Sequence, residues 1–400
     1  MKDGARALAI VDGEHYPPVV RDALAELPYE FVGAILVGGT EKLRGGEDYG
    51  VPLLASLDDA RAQVVVDLSD EPVLGPRERM LWASKALARG LEYVGADFRF
   101  RPPAYLPSPS APSLAVIGTG KRIGKTAVTG HVARLFAQRG DVVVVSMGRG
   151  GPPRPELVQV APTLDQLLAI SRGGGHAASD YLETAALAGV PTIGCRRAGG
   201  GFAGDVLTSN LRLGVELAEE QRPDVVVFDG SGASIPPVSV DARVLVVGPG
   251  QDATAYLNPY RVLVSDLVLL MGGGDAEAIR ALKDVPVIPV ELRLRPVTAL
   301  AGRRVAVFTA GPAPVDHLDA DVVHVSRNLA DRAALRDELP GIDADAFLVE
   351  IKAAAIDVVA EAAVERGIEC VFAANDVQSL DSGIDLDAEL ASLSREPVAG

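Results

Sequence analysis

The chain has 400 residues, 48% of them hydrophobic and 23% charged, with 38 Lys+Arg against 54 Asp+Glu for a net charge of −16. That length predicts two or three α/β-sized units, the apolar content excludes a disordered chain, and the negative balance argues against a broad nucleic-acid-binding surface. Two widely separated cysteines, Cys195 and Cys370, exclude a disulfide scaffold and a multi-cysteine metal cluster and fit a reducing cytoplasm. The apolar stretch Ala7 to Val11 is too short for a secretory segment, and no run approaches the roughly 18 apolar residues of a membrane span, so neither export nor a membrane partner is expected.

In chain order, the apolar runs Leu8–Val11, Phe31–Val37 and Val64–Leu68 alternate with helix-like stretches at Val19–Leu27 and Arg77–Arg89. That is the rhythm of a parallel, Rossmann-like α/β sheet, placed at residues 1–105. The Pro/Ser-rich segment Arg101–Ser113 cannot continue a helix or a central strand and reads as a linker, narrowed to 106–113. A second unit, 114–295, opens with the strand Leu114–Ile117, a glycine-rich turn, a helix from Lys125 to Gln138 and the strand Val142–Val145. Further runs at Val225–Phe228, Val244–Val247, Leu267–Leu270 and Val285–Val290 have the spacing of a doubly wound sheet. Residues 296–400 repeat the alternation with strands Val305–Phe308, Val322–Val325, Phe347–Ile351 and Cys370–Ala373, a helix near Asp357–Glu365, and a tail after Asp376 expected to be partly loose.

The strongest chemical signal is Gly118-Thr119-Gly120-Lys121-Arg122-Ile123-Gly124-Lys125-Thr126 between a strand and a helix. Glycines let backbone N–H groups turn toward phosphates, the helix N-terminus adds partial positive charge, Lys125 reaches the β/γ oxygens and Thr126 holds Mg²⁺. The expected fold is therefore α/β: a P-loop NTPase doubly wound parallel sheet flanked by the Rossmann-like domain and a smaller C-terminal α/β unit. Five residues rather than four separate Gly118 from Gly124. This longer spacing is similar to the loop of dethiobiotin synthetase and its relatives. Asp229, after the strand Val225–Phe228 and before Gly230-Ser231-Gly232, is the candidate acid for organising Mg²⁺.

Between Gly118 and Gly201 there are ten Lys/Arg and five Asp/Glu, an electropositive segment on an acidic chain that suits a small polyanion. Arg149 follows the second strand of the P-loop unit, where ligands sit in such folds, and His176 and Asp180 flank a glycine-rich loop. Arg196 and Arg197 lie on a glycine bed and present planar forks that match phosphate oxygens.

Together with IVDGEHYPP at Ile10–Pro18, DGSGASIPP at Asp229–Pro237, Asn258-Pro259-Tyr260-Arg261 and Glu350–Ala355, these motifs resemble the cyclic 2,3-diphosphoglycerate synthetase family over most of the chain. The resemblance implies ATP-dependent closure of an intramolecular phosphoanhydride in 2,3-diphosphoglycerate, with release of ADP and phosphate. It implies Lys125 and Thr126 for ATP and Mg²⁺, Lys121 and Arg122 for the transferring group, and Arg149, Arg196 and Arg197 for the substrate phosphates. His176 and Asp180 are weaker catalytic candidates, and Glu14, His15 and Lys352 weaker substrate candidates. The rival readings are a kinase or ligase of the same P-loop branch, suggested by the likeness of Leu300–Phe308 to a tetraacyldisaccharide kinase, and an ATP-driven switch acting through a protein partner. The sequence leaves open whether the chain forms a homo-oligomer.

Overall fold

Residues 4–394, apart from 46, 60 and 312, are described in a computed structural model of the chain. Apolar runs flanked by helix-length segments pair as parallel strands, because a βαβ crossover returns the chain in the same direction. In the N-terminal unit Arg6–Val11, Glu30–Leu36, Val64–Asp67 and Glu92–Val94 form a parallel sheet, closed at one edge by antiparallel Arg99–Phe100. The helices Pro17–Glu26 and Pro76–Ala88 both start on proline, whose fixed φ and missing N–H suit the first turn.

The P-loop unit is built on the parallel order Thr192–Ala198, Val142–Gly148, Val225–Asp229, Ser113–Gly118, Ala242–Val247, Leu267–Met271 and Val287–Pro296. Its central strands Ser113–Gly118, Val142–Gly148 and Val225–Asp229 are buried at every position, so they read as unbroken apolar runs rather than as an alternation. Short antiparallel strands, Glu156–Val158 and Thr208–Ser209, which the sequence does not announce, attach to the Thr192–Ala198 edge.

The C-terminal residues extend this sheet rather than starting another. Val287–Pro296 runs past the expected end at Val290, and its second half pairs antiparallel with Glu369–Ser379. Beyond that strand come Ala346–Glu350, Arg304–Phe308 and Asp321–Ser326, all parallel to one another. Arg134 of the helix Lys125–Ala137 adds an ion pair to Asp376 at 2.8 Å, fastening the P-loop helix to the added strands. The helix expected near Asp357–Glu365 is a π-helical segment, Ala355–Ala360, that passes into the short α-helix Glu361–Glu365.

The tail is a correction to the expectation. Residues after Asp376 complete the strand to Ser379 and then form the helix Leu386–Ser392, capped by the Asp385 carboxylate accepting from the Ala388 N–H. Leu386 and Leu390 are buried in the same core as Val128, Val132 and Leu135 of the P-loop helix. Burying two leucines contributes about 3 to 6 kcal/mol, ample to hold a seven-residue helix that could not persist alone. Acidic composition along the segment hid these two apolar anchors; residues 395–400 of the expected tail lie outside the described residues.

The proline-rich linker lies against the P-loop unit. Leu106 exchanges backbone hydrogen bonds with Pro237 and Ser239, and the Tyr105 and Tyr260 hydroxyls meet at 2.8 Å. Among the described residues no helix is long and apolar enough to cross a membrane.

Candidate active site

The glycine loop joins the strand Ser113–Gly118 to the helix Lys125–Ala137 at the C-terminal edge of the parallel strands. Gly124 holds φ +88° at the helix start, a conformation costly for any residue with a Cβ. A side chain at Gly118 would begin 2.6 Å from the Ile123 Cδ1 and 2.7 Å from the Lys125 Cδ, so a larger residue there would displace the Ile123 and Lys125 side chains. Lys125 is buried, and its ammonium donates to the Gly120 carbonyl at 2.9 Å. Burial pulls its pKa down, while Asp229 and Asp180 oppose that shift.

Asp229 ends its strand beside Ser146 of the neighbouring strand, with which it is in register. Both are buried, and the Asp229 Oδ1 and Ser146 Oγ have no hydrogen-bond partner among the described residues. Burial, reinforced by Asp180, pushes the Asp229 carboxyl up to about 7. An orphaned buried carboxylate oxygen at a strand end fits an oxygen-seeking cation, because a hard divalent ion satisfies the lone pairs and stabilises the ionised form. Thr126, in the first turn of the helix, and Asp229 thus have the chemistry to hold Mg²⁺.

Around this centre the structure brings together Arg149, His176 and Asp180, which line a cavity of about 150 Å³ with the buried Ser146 and Ser179. Ser179 Oγ is a further buried hydroxyl without a hydrogen-bond partner among the described residues. Arg197 donates to the Ser231 carbonyl at 2.7 Å and to the Gly199 carbonyl at 3.1 Å, tying two glycine-rich loops. Its pKa is lowered by burial and then by the like charge of Arg149, while Asp180 opposes that shift.

The adjacent arginines divide their labour. Successive strand residues face opposite ways, and Arg197 is the one drawn into this charge cluster, while Arg196 is exposed and fixed through its backbone N–H to the Asn210 Oδ1 at 2.7 Å. Lys121 and Arg122 are exposed on the loop, Arg122 with φ +56°. Glu14 and His15 belong to a different neighbourhood: His15 contacts Asp12 at 2.7 Å and Asp70 at 3.4 Å, and the Glu14 Oε1 accepts from the Thr40 N–H at 3.1 Å, all within the N-terminal unit.

Three successive segments of the chain match the domains of one family, described as the N-terminal domain (6–101), the P-loop domain (113–284) and the C-terminal domain (296–376) of cyclic 2,3-diphosphoglycerate synthetase. Proteins of that name from Rubrobacter xylanophilus and Thermococcus gammatolerans are 48% and 40% identical to it, over 95% and 94% of this chain and 96% and 94% of theirs. The chain belongs to the cyclic 2,3-diphosphoglycerate synthetase family. It is therefore an enzyme with a nucleotide-binding P-loop domain. Among solved structures, LpxK from Aquifex aeolicus in complex with ATP is similar at a TM-score of 0.39 and 12% identity, over 72% of this chain and 89% of that one, too remote to carry an argument.

In this member of the synthetase family, packing gives a place to residues for which sequence reasoning had no role or only a weak one. Glu183 is buried on the helix Asp180–Ala188, and burial pushes its carboxyl pKa up while the Lys352 ammonium opposes that shift and favours the carboxylate. Its local signals are its place at the end of the segment His176–Glu183 and the spacing from Asp180, three positions that place both acids on one helix face. Lys352, a candidate on resemblance alone, comes from the C-terminal unit with its ammonium 3.8 Å from the Glu183 Oε1. Arg261 is buried without a carboxylate partner among the described residues, donating to the carbonyls of Ala233, Phe202 and Leu257, and so clamps the same glycine-rich loops that Arg197 joins.

Proposed function

We propose that the protein uses ATP to close an intramolecular phosphoanhydride between the two phosphates of 2,3-diphosphoglycerate, giving cyclic 2,3-diphosphoglycerate, ADP and phosphate. The observation that carries this reading is the meeting of buried, unpartnered polar atoms (Asp229 Oδ1, Ser146 Oγ, Ser179 Oγ) with Lys125, Arg149 and Arg197 at the strand ends of a synthetase-family chain. A site of that composition suits several phosphates at once.

In this reading the γ-phosphoryl group passes to one substrate phosphate and ADP leaves; the second phosphate then attacks the activated phosphorus, expelling inorganic phosphate and closing the ring. Little of that chemistry requires the protein to bond covalently, so catalysis is positioning and charge stabilisation. The loop Gly118, Thr119, Gly120, Ile123 and Gly124 cradles the nucleotide phosphates, and Lys125 follows the β/γ oxygens. Mg²⁺ held by Thr126 and Asp229 would neutralise phosphate charge. Lys121 and Arg122 stand at the transferring group, and Arg149, Arg196 and Arg197 at the substrate phosphates, with Arg197 contributing most because it is already oriented by Ser231. His176 and Asp180 line the same cavity and orient the acceptor, and Lys352 approaches from the C-terminal unit. His15 and Glu14 have a secondary part, as the N-terminal unit would bring them to the substrate by folding over the cleft. We place this reaction in the cytoplasm, with a small polyanion as partner and no nucleic acid.

The test is ³¹P NMR of the purified protein with Mg-ATP, with and without 2,3-diphosphoglycerate. An upfield anhydride resonance that grows with ADP and phosphate only when diphosphoglycerate is present is the expected result. ATP left intact, or hydrolysed equally without the acceptor, would reject the substrate.

A further inference from the structure

We infer that Glu183 is the positioning residue for Lys352, and that this pair makes the C-terminal unit a working part of the polyphosphate site. The inference rests on the reaction proposed above, and deepens it by naming how a distant segment of chain is held at the transferring phosphates.

Lys352 lies two residues beyond the strand Ala346–Glu350, in a turn whose backbone is unusual at successive points. Its N–H bonds back to the Glu350 carbonyl at 2.8 Å, the next residue, Ala353, takes φ +47°, and the π-helical segment Ala355–Ala360 follows directly. A non-glycine residue in the left-handed region is strained, and π-helical turns are rare and concentrate where a side chain must be aimed. The turn is backed by apolar packing across the units: Ile351 and Ile356 share a core with Leu167, Leu168, Tyr181 and Leu182. The lysine is thereby directed toward the helix that carries Glu183 and Asp180 rather than toward its own sheet.

Three acids, Glu183, Glu350 and Asp180, act on Lys352, and they are not equivalent: Asp180 lines the cavity. Glu350 is already satisfied, accepting from the Asn375 Nδ2 at 3.1 Å and the Ala310 N–H at 3.0 Å. Glu183 is buried to 7% side-chain exposure and pairs with Lys352, whose side chain is 31% exposed. At 3.8 Å the pair attracts without a hydrogen bond, so Glu183 restrains the ammonium without occupying its donors. Lys352 also feels Arg122 of the glycine loop, and Lys125 feels Lys352. Lys352 thus brings a cation of the C-terminal unit to the helix whose first residue, Asp180, lines the candidate cavity, with a buried carboxylate of that helix behind it.

The experiment compares Glu183→Gln, Lys352→Met and the double variant in the full-length protein. Steady-state cyclisation is measured with each substrate varied, and Mg-ATP affinity by calorimetry. We expect each single change to lower kcat/KM for diphosphoglycerate by about tenfold or more while the Mg-ATP Kd stays within about twofold, and the double variant to be no worse than either single, since both remove one unit. Additive losses, losses shared equally by Mg-ATP binding, or wild-type kinetics in Glu183→Gln would overturn the assignment. A readout independent of turnover is the acetylation rate of Lys352 at pH 8, followed by mass spectrometry. Removing the paired carboxylate frees more neutral amine, so the rate should rise about fivefold in Glu183→Gln; an unchanged rate overturns the pairing. If the wild-type protein fails to cyclise diphosphoglycerate, the proposed reaction falls, and the acetylation result alone decides the pair.

Discussion

Two aspartates at the ends of parallel strands, Asp12 in the N-terminal unit and Asp229 in the P-loop unit, occupy similar places and have opposite environments. Burial works against the Asp12 carboxylate, but the N–H of Asp70 at 2.7 Å, the His15 ring and the N–H of Glu14 outweigh it and hold its pKa below the ordinary value. Asp229 is equally buried and lacks such donors on its Oδ1, so burial and Asp180 push it up to about 7. The same residue type in the same topological position is a closed structural knot in one unit and an open valence in the other. The difference separates polar groups that complete the fold from those that await a ligand.

The comparison would break most visibly at Lys125. Lys125→Ala should reduce ADP release by about a thousandfold or more, because a buried phosphate-binding cation is lost; turnover within tenfold of wild type would reject the P-loop assignment.

Asp229→Asn should lower turnover by about a hundredfold yet stabilise the fold by about 1 kcal/mol in urea melts at neutral pH, since it removes a buried carboxyl whose burial disfavours its charge and whose Oδ1 has no hydrogen bond among the described residues. Simultaneous loss of both stability and activity would mean that Asp229 is a structural knot like Asp12. Between the arginines, Arg197→Ala should raise the KM for diphosphoglycerate about ten- to hundredfold, corresponding to about 1.5 to 3 kcal/mol, with Arg196→Ala falling short of it. Equal effects would show that the strand pleat does not separate them.

The N-terminal unit should show the reverse pattern. Asp12→Asn is expected to cost about 1 to 3 kcal/mol of stability in urea at pH 7. Because the folded pKa is depressed, the carboxylate's contribution is fully present above the unfolded value of about 3.8 and fades as pH falls through the folded one, so the wild-type advantage should shrink in acid. The smallest effect belongs to His15→Ala, about threefold in KM for the acceptor with Mg-ATP affinity unchanged. An effect there as large as that of Lys125→Ala would erase the distinction between satisfied and unsatisfied clusters.

Much of the molecule could be read from local pattern. Strands buried on both faces are unbroken apolar runs, and the phosphate loop is contiguous from Gly118 to Thr126, so neither needs knowledge of distant contacts. The tail was misjudged because Leu386 and Leu390 matter only once the helix Lys125–Ala137 is beside them. Glu183 was invisible for a similar reason, since its character comes from burial and from a lysine 169 positions later in the chain.

The sequence by itself determined the α/β class, the phosphate-binding loop and the family, because these depend on residue type and spacing along the chain. The tertiary structure alone decided that the C-terminal strands extend the P-loop sheet, that Arg197 rather than Arg196 enters the charge cluster, and that Lys352 is met by Glu183. Those outcomes depend on pleat direction, desolvation and the meeting of charges from separate segments, and these arise only when the chain has closed on itself.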